Sequence, residues 1–212
     1  MPLKLQPATQ ADAERAAEIE KDAYNEDLFS PILFPGPFPE PQASKRNWRA
    51  EELASIFHEN PSVRWLKVID TDIEGGKHNE QMIGFAQWNI NDGSQPPTKP
   101  RAYGPGANVE ACKEVSAGLQ AVRSARLKIK HVHLSLLHVD PKHQRRGAGR
   151  MLVMWGIEES KRLGLPAFLE SSGKGHSLYL SCGFRDVDVH AVDFTKWGKP
   201  ASRVTYIMAL EQ

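Results

Sequence analysis

The feature that most constrains this chain is the run HVHLSLLHV, His131 to Val139, followed by a basic turn containing glycine and then by an amphipathic stretch. The run has the length and apolar content of a buried strand, and Asp140 and Pro141 bound it. After the turn KHQRRGAGR comes MLVMWGIEESKRLG, whose Leu152, Trp155, Ile157 and Leu163 fit one face of a helix lying on a sheet. Gly164 is placed to end that helix as a left-handed cap, with Pro166 beyond it. At 212 residues the chain is long enough for one α/β domain, and one domain spanning 1–212 is expected.

The other elements follow from periodicity and punctuation. Leu3 and Leu5 alternate with polar residues in a short strand, and Thr9 with Asp12 has the form of a capping box opening a helix from about Ala11 to Tyr24. Asn47 to Asn60 reads as a second helix stopped by Pro61, and Val63 to Asp70 with Gln81 to Ile90 as a hairpin. Cys112, Val115, Leu119 and Val122 share one face of a further helix. AFLE reads as a strand, Lys174 to Cys182 as a short helix, and Phe184 to Phe194 with Arg203 to Leu210 as a closing strand pair.

Two segments stand outside this regularity. Asn25 to Ser44 carries five prolines, which forbid regular helix, yet it also holds Phe29, Phe34 and Phe38. A linker would be less apolar, so the segment is either a loop packed on the core or an apolar wall for a substrate. Residues 25–44 and 91–130 are therefore taken as insertions on the substrate side.

Charge narrows the classes of partner. Lys and Arg number 27 against 26 Asp and Glu, a net charge of +1, so no global field draws the chain to nucleic acid or anionic lipid. Against that balance the concentration of Lys142, His143, Arg145, Arg146 and Arg150 around Gly147, Ala148 and Gly149 is local and marked. A helix starting on small residues offers unpaired backbone N–H groups, which makes a phosphate cradle. The alternative is a basic helix start that merely caps. Two cysteines make no disulfide framework, no stretch is apolar enough to span a membrane, and the start has no secretory pattern, so a cytoplasmic location is expected.

Three phosphate-binding templates can be compared with the turn. A Walker loop needs GxxxxGK followed by Ser or Thr, which neither Gly147 nor Gly173-Lys174-Gly175 provides. A dinucleotide fingerprint needs a small residue where Leu152 stands and a turn directly after the strand, although Glu170 does lie about 20 residues on; a dinucleotide oxidoreductase stays open as a distant alternative. The third template fits. Gln144-Arg145-Arg146-Gly147-Ala148-Gly149 resembles the acetyl-CoA motif (Q/R)xxGx(G/A) of the GNAT acetyltransferase superfamily, and SLYLSCGF is similar to that family's LYxxxGF signature.

The resemblance covers Val132 to Phe184 and implies an α/β fold with a mixed, mostly antiparallel twisted sheet of about six to seven strands flanked by helices. It implies acetyl-CoA as cosubstrate with no metal, its pyrophosphate on the amides of Gln144 to Arg150, and its pantetheine arm along Leu137, His138 and Val139. An acetyl acceptor must lose a proton before it attacks, and the departing thiolate gains one. Tyr179 matches the family position of the general acid. His131 and His133 share a strand face and resemble the HxH element of the arylalkylamine branch, with His133 on its first histidine and Ser135 on its second. His133, directly or through water, is therefore the expected base. His138 should point away from that pair, which argues against a metal site. The expected acceptor is a small primary amine with an apolar body, bound near Phe29, Phe34 and Phe38, on a monomer or homodimer. A protein or peptide amine, or a non-catalytic CoA-binding module, remains the alternative.

Overall fold

The computed structural model describes residues 2–25, 27–36, 47–74, 80–93, 103–126, 129–198 and 202–211. Seven strands form one sheet: β1 (Leu3–Pro7), β2 (Val63–Asp70), β3 (Met82–Asn91), β4 (His131–Val139), β5 (Ala167–Ser172), β6 (Arg185–Asp193) and β7 (Ser202–Leu210). Their order is β1-β2-β3-β4-β5-β7-β6, and every pairing is antiparallel except that of β4 with β5. The helices are α1 (Ala13–Tyr24), α2 (Ser30–Leu33), α3 (Trp48–Glu59), α4 (Val109–Arg126), α5 (Ala148–Leu163) and α6 (Gly173–Ser181). The mixed, mostly antiparallel α/β sheet expected from the sequence is thus present.

Local chemistry explains most element ends. Thr9 and Asp12 form the reciprocal capping box ahead of α1, and the Asn47 side chain accepts from the Ala50 amide at the start of α3. Gly164, at φ 65°, closes α5. The prolines of 25–44 do not exclude helix altogether: Pro31 occupies the first turn of α2, where a missing N–H is tolerated.

Apolar faces bury on both sides of the sheet. Val132, Leu134, Leu137 and Val139 pack with Leu152, Val153 and Ile157 of α5, while Leu136 packs on the opposite face with Ala16, Ile19 and Leu53 of α1 and α3. This division of β4 departs from simple alternation. Trp88 pairs with Leu134 and Gln87 with Leu136, so Ser135 is one residue too many and forms a β-bulge. The bulge moves every later side chain by one position. His138 consequently lies on the same face as His131 and His133, not opposite them as even spacing predicted, and packs edge-on against Tyr24 at 5.4 Å.

Beyond the bulge the sheet opens. β4 pairs with β5 only through Val132, Leu134 and the residue between them, against Ala167 to Leu169. A third apolar cluster joins Ile32 and Leu33 of α2 to Ala111, Cys112 and Val115 of α4 and to Phe194, so the two insertions pack on each other. No helix among the described residues is long and apolar enough to cross a membrane.

Candidate active site

The opening between β4 and β5 leaves main-chain groups without a strand partner. The Asp140 amide donates to Ile83 O across β3, so by alternation those of His138 and Leu136 face β3 as well. The amides of Leu137 and Val139 face the opening. The amide of His138, expected among the cofactor contacts, is instead committed to the ladder. Its imidazole is buried and kept neutral chiefly by desolvation, with Nε2 3.9 Å from Glu20 and no hydrogen-bond partner among the described residues.

The basic turn stands at the mouth of this opening. Asp140 organises it, accepting from the Lys142 amide at 3.0 Å and from Arg15 of α1 at 2.6 Å. Burial works against ionising Asp140, but that amide and the guanidinium outweigh it and hold its pKa down. Gln144 donates through Nε2 to the Val139 carbonyl at 3.2 Å, folding the turn back on the strand. Two residues then take left-handed backbone, Arg145 at φ 62° and Gly147 at φ 95°. The first hydrogen bond of α5 runs from the Met151 amide to Gly147 O, so the amides of Ala148, Gly149 and Arg150 lack helical acceptors. A Cβ on Gly147 would meet nothing within 4 Å, which leaves the face of the turn open. Such a concave set of amides at a helix start fits a phosphate.

The arginine side chains divide. Arg146 reaches back to buried Asp70 at 2.6 Å and donates to His143 Nδ1 at 3.1 Å, so its guanidinium braces the turn against β2 and does not project toward a ligand. Arg150 donates to the Ser181 carbonyl at 3.3 Å and ties α5 to the end of α6. Gly149 serves packing: a Cβ there would stand 3.1 Å from Leu178 of α6. Of the expected contacts, the backbone of the turn and the Arg145 side chain remain available to a phosphate.

Tyr179, on α6, is buried with 7% exposure, and its ring lies over Gly175, where a Cβ would come within 3.0 Å. Burial, with Tyr24 and Cys182 nearby, pushes its phenol well above the usual range, so the hydroxyl keeps its proton. Tyr24, at the end of α1, was not anticipated from the sequence. Tyr24 as a whole is 40% exposed, but desolvation of its hydroxyl, with Glu20 nearby, also raises its phenol.

His133 is buried on the opposite face of β4 from α5. Its Nε2 lies 2.8 Å from Glu170 of β5, and Ser135 Oγ lies 3.4 Å from its Nδ1. Arg123 of α4 donates to both Glu170 oxygens, at 2.7 and 3.0 Å. Burial opposes ionisation of Glu170, but His133 and Arg123 together prevail and hold it far below the ordinary carboxylate range. Glu170 thus faces a histidine; in the sequence it stood out only by its spacing in the dinucleotide fingerprint. His131 is structural: its Nδ1 binds the Ile129 carbonyl at 2.7 Å, its ring packs on Phe168, and burial lowers its pKa. Among the described residues no group of three potential metal ligands gathers.

An aromatic wall was expected from Phe29, Phe34 and Phe38. Phe29 packs on Phe194 at 5.0 Å inside the third cluster, Phe34 is 43% exposed, and Phe38 lies outside the described residues.

Solved structures share this fold at low identity. A mosquito arylalkylamine N-acetyltransferase like 5b is 16% identical, with a TM-score of 0.62 over 98% of this chain and 99% of that one. NAA60 of Arabidopsis thaliana, in complex with acetyl-CoA, is 15% identical, with a TM-score of 0.58 over 99% of each chain. The acetyltransferase yncA of Salmonella typhimurium, described as putative and solved with acetyl-CoA, is 15% identical, with a TM-score of 0.57 over 100% of this chain and 94% of that one. No curated protein sequence matches the chain. The profile of the acetyltransferase (GNAT) family matches residues 24–184, which include α1's last residue, the opening in the sheet, the glycine turn and Tyr179, and the chain therefore belongs to that family of acetyl-CoA-dependent acetyltransferases.

Proposed function

We propose that the chain acetylates a small primary amine with an apolar body by direct attack in a ternary complex, with His133 as base and Tyr179 as acid. The observation that carries this reading is a histidine–carboxylate pair that joins β4 to β5 where their pairing ends, in a molecule whose α6 carries a buried phenol that keeps its proton. Bound in that opening, acetyl-CoA supplies an activated acyl carbon and a thiolate leaving group. The amides at Ala148, Gly149 and Arg150 hold its phosphates, and the Leu137 and Val139 amides line its arm and polarise the thioester carbonyl. His133 takes a proton from the incoming ammonium, and Tyr179 O–H protonates the departing sulfur. One domain over 1–212 is supported by a single sheet that includes both the first and the last strand. Two cysteines without a disulfide support a cytoplasmic location.

A peptide or protein amine is the second reading, favoured by the withdrawal of Phe29 into the third cluster and by Leu28 and Phe34 at the surface. CoA release, followed with a thiol reagent, decides between them when small arylalkylamines compete with peptides bearing free N-termini or lysines. Turnover of the amines at least tenfold above the peptides is expected, and the reverse order overturns the small-amine reading. A thermal shift with acetyl-CoA and CoA but none with NAD(H) or NADP(H) is also expected, since a ligand of the native state raises its stability.

A further inference from the structure

The hydrogen bonds around His133 form one chain whose donors and acceptors can be assigned throughout. Arg123 only donates, and the ionised Glu170 only accepts, so the proton between Glu170 and His133 belongs to His133 Nε2. A neutral imidazole with Nε2–H has a lone pair on Nδ1, and Ser135 Oγ is the group that faces it. Asn89 of β3 donates Nδ2–H to Ser135 Oγ at 2.5 Å, which leaves the serine's own proton to point at Nδ1 and its second lone pair open. Ser135 is the bulge residue, outside the β3 pairing and half-buried, whereas His133 is buried. An amine therefore reaches Ser135 before it reaches the imidazole.

We infer that Glu170, clamped by Arg123 of α4, is a positioning residue that fixes His133 as the Nε2–H tautomer, and that the Ser135 hydroxyl relays the acceptor's proton to Nδ1. The inference rests on the acetyl-transfer reading above and adds the route of the proton to it. The ammonium gives a proton to Ser135 Oγ as Ser135 gives its own to His133, and the imidazolium formed lies against Glu170. The freed lone pair forms the N–C bond while the C–S bond breaks. His133 then returns its proton to solvent, and the second surplus proton on nitrogen replaces, through solvent, the one that Tyr179 gives to sulfur. The groups facing His133 are His131 and Ser135 from its own strand, Glu170 from β5 and, behind Glu170, Arg123 from α4.

Glu170→Gln separates this role from simple packing. Arg123, having no acceptor, claims the Gln carbonyl and turns the amide NH2 toward His133 Nε2, which moves the imidazole proton to Nδ1 and blocks uptake there. The test begins with imidazole ¹⁵N shifts of the ligand-free protein: Nε2–H is expected in the wild type and Nδ1–H in E170Q. In steady-state assays kcat falls at least tenfold in E170Q and in Ser135→Ala, within the range for general base catalysis, while the Kd of acetyl-CoA is unchanged and Ser135→Thr restores most of the rate. A wild-type Nδ1–H tautomer, or kcat within twofold of wild type in both E170Q and S135A, overturns the relay. His133→Ala identifies which proposal has failed. If it is slow while the other two are not, the relay alone falls; if its rate is also unchanged, the base assignment falls with it.

Discussion

Replacing Gly147 by alanine tests the cradle by its backbone alone. Gly147 has φ 95° and ψ −5°, and a Cβ there meets nothing within 4 Å, so no clash contributes. An L-residue in left-handed backbone costs about 1–2 kcal/mol. That strain must appear in the complex with acetyl-CoA if the complex requires this turn, but it can enter at two points. Where the free protein keeps the turn, folding loses the full amount, which lowers Tm by about 2–8 °C for a chain of this size, and the Kd is unchanged. Where the free turn relaxes, Tm hardly moves and acetyl-CoA binds about 5–30-fold more weakly. The sum of the two losses is the conserved quantity. Calorimetric unfolding of the free protein together with titration by acetyl-CoA measures both, and Gly147→Asn, which tolerates left-handed backbone better, gives a smaller sum. A G147A sum near zero would refute the requirement for left-handed geometry in the bound turn.

Other expectations address the chemistry and the frame around it. Tyr179→Phe lowers kcat at least tenfold with the Kd of acetyl-CoA unchanged; because burial raises the phenol above its ordinary value of 10.0, the wild-type rate should not fall through tyrosine ionisation below that pH. Equal rates for the two proteins across the pH range remove the acid role. Asp140 has a depressed pKa, so it contributes stability above the unfolded carboxylate pKa of about 3.9 that is lost as pH falls through the lower folded value. Urea unfolding of Asp140→Asn should accordingly show lower stability at pH 7 and a shallower decline into acid. Gly156→Ala places a Cβ 2.1 Å from the buried Trp88 ring in the core between α5 and the sheet, and should cost about 3 kcal/mol in chemical denaturation.

Much of this structure was legible in short windows of sequence. The strand at His131 to Val139, the glycine turn, the helix after it and its stop at Gly164 were predicted because periodicity, capping and left-handed glycine act over a few residues. The basic cluster reads in sequence as one unit, but side chains that look alike there separated: Arg146 went to Asp70 and Arg150 to the end of α6. Neither partner lies within the window from which the cluster was read.

What the sequence by itself determined was the succession of elements and the strand–turn–helix unit that carries the family resemblance. The tertiary structure decided which groups meet. The bulge at Ser135 shifted the later half of β4 by one residue, which carried His138 to the face of His131 and His133 and presented the serine beside His133. Parallel pairing of β4 with β5 brought Glu170 to a histidine 37 residues before it, and packing of α4 supplied Arg123. Strand register and bulges are settled by the packing of both sheet faces at once, so no local pattern in the chain encodes them.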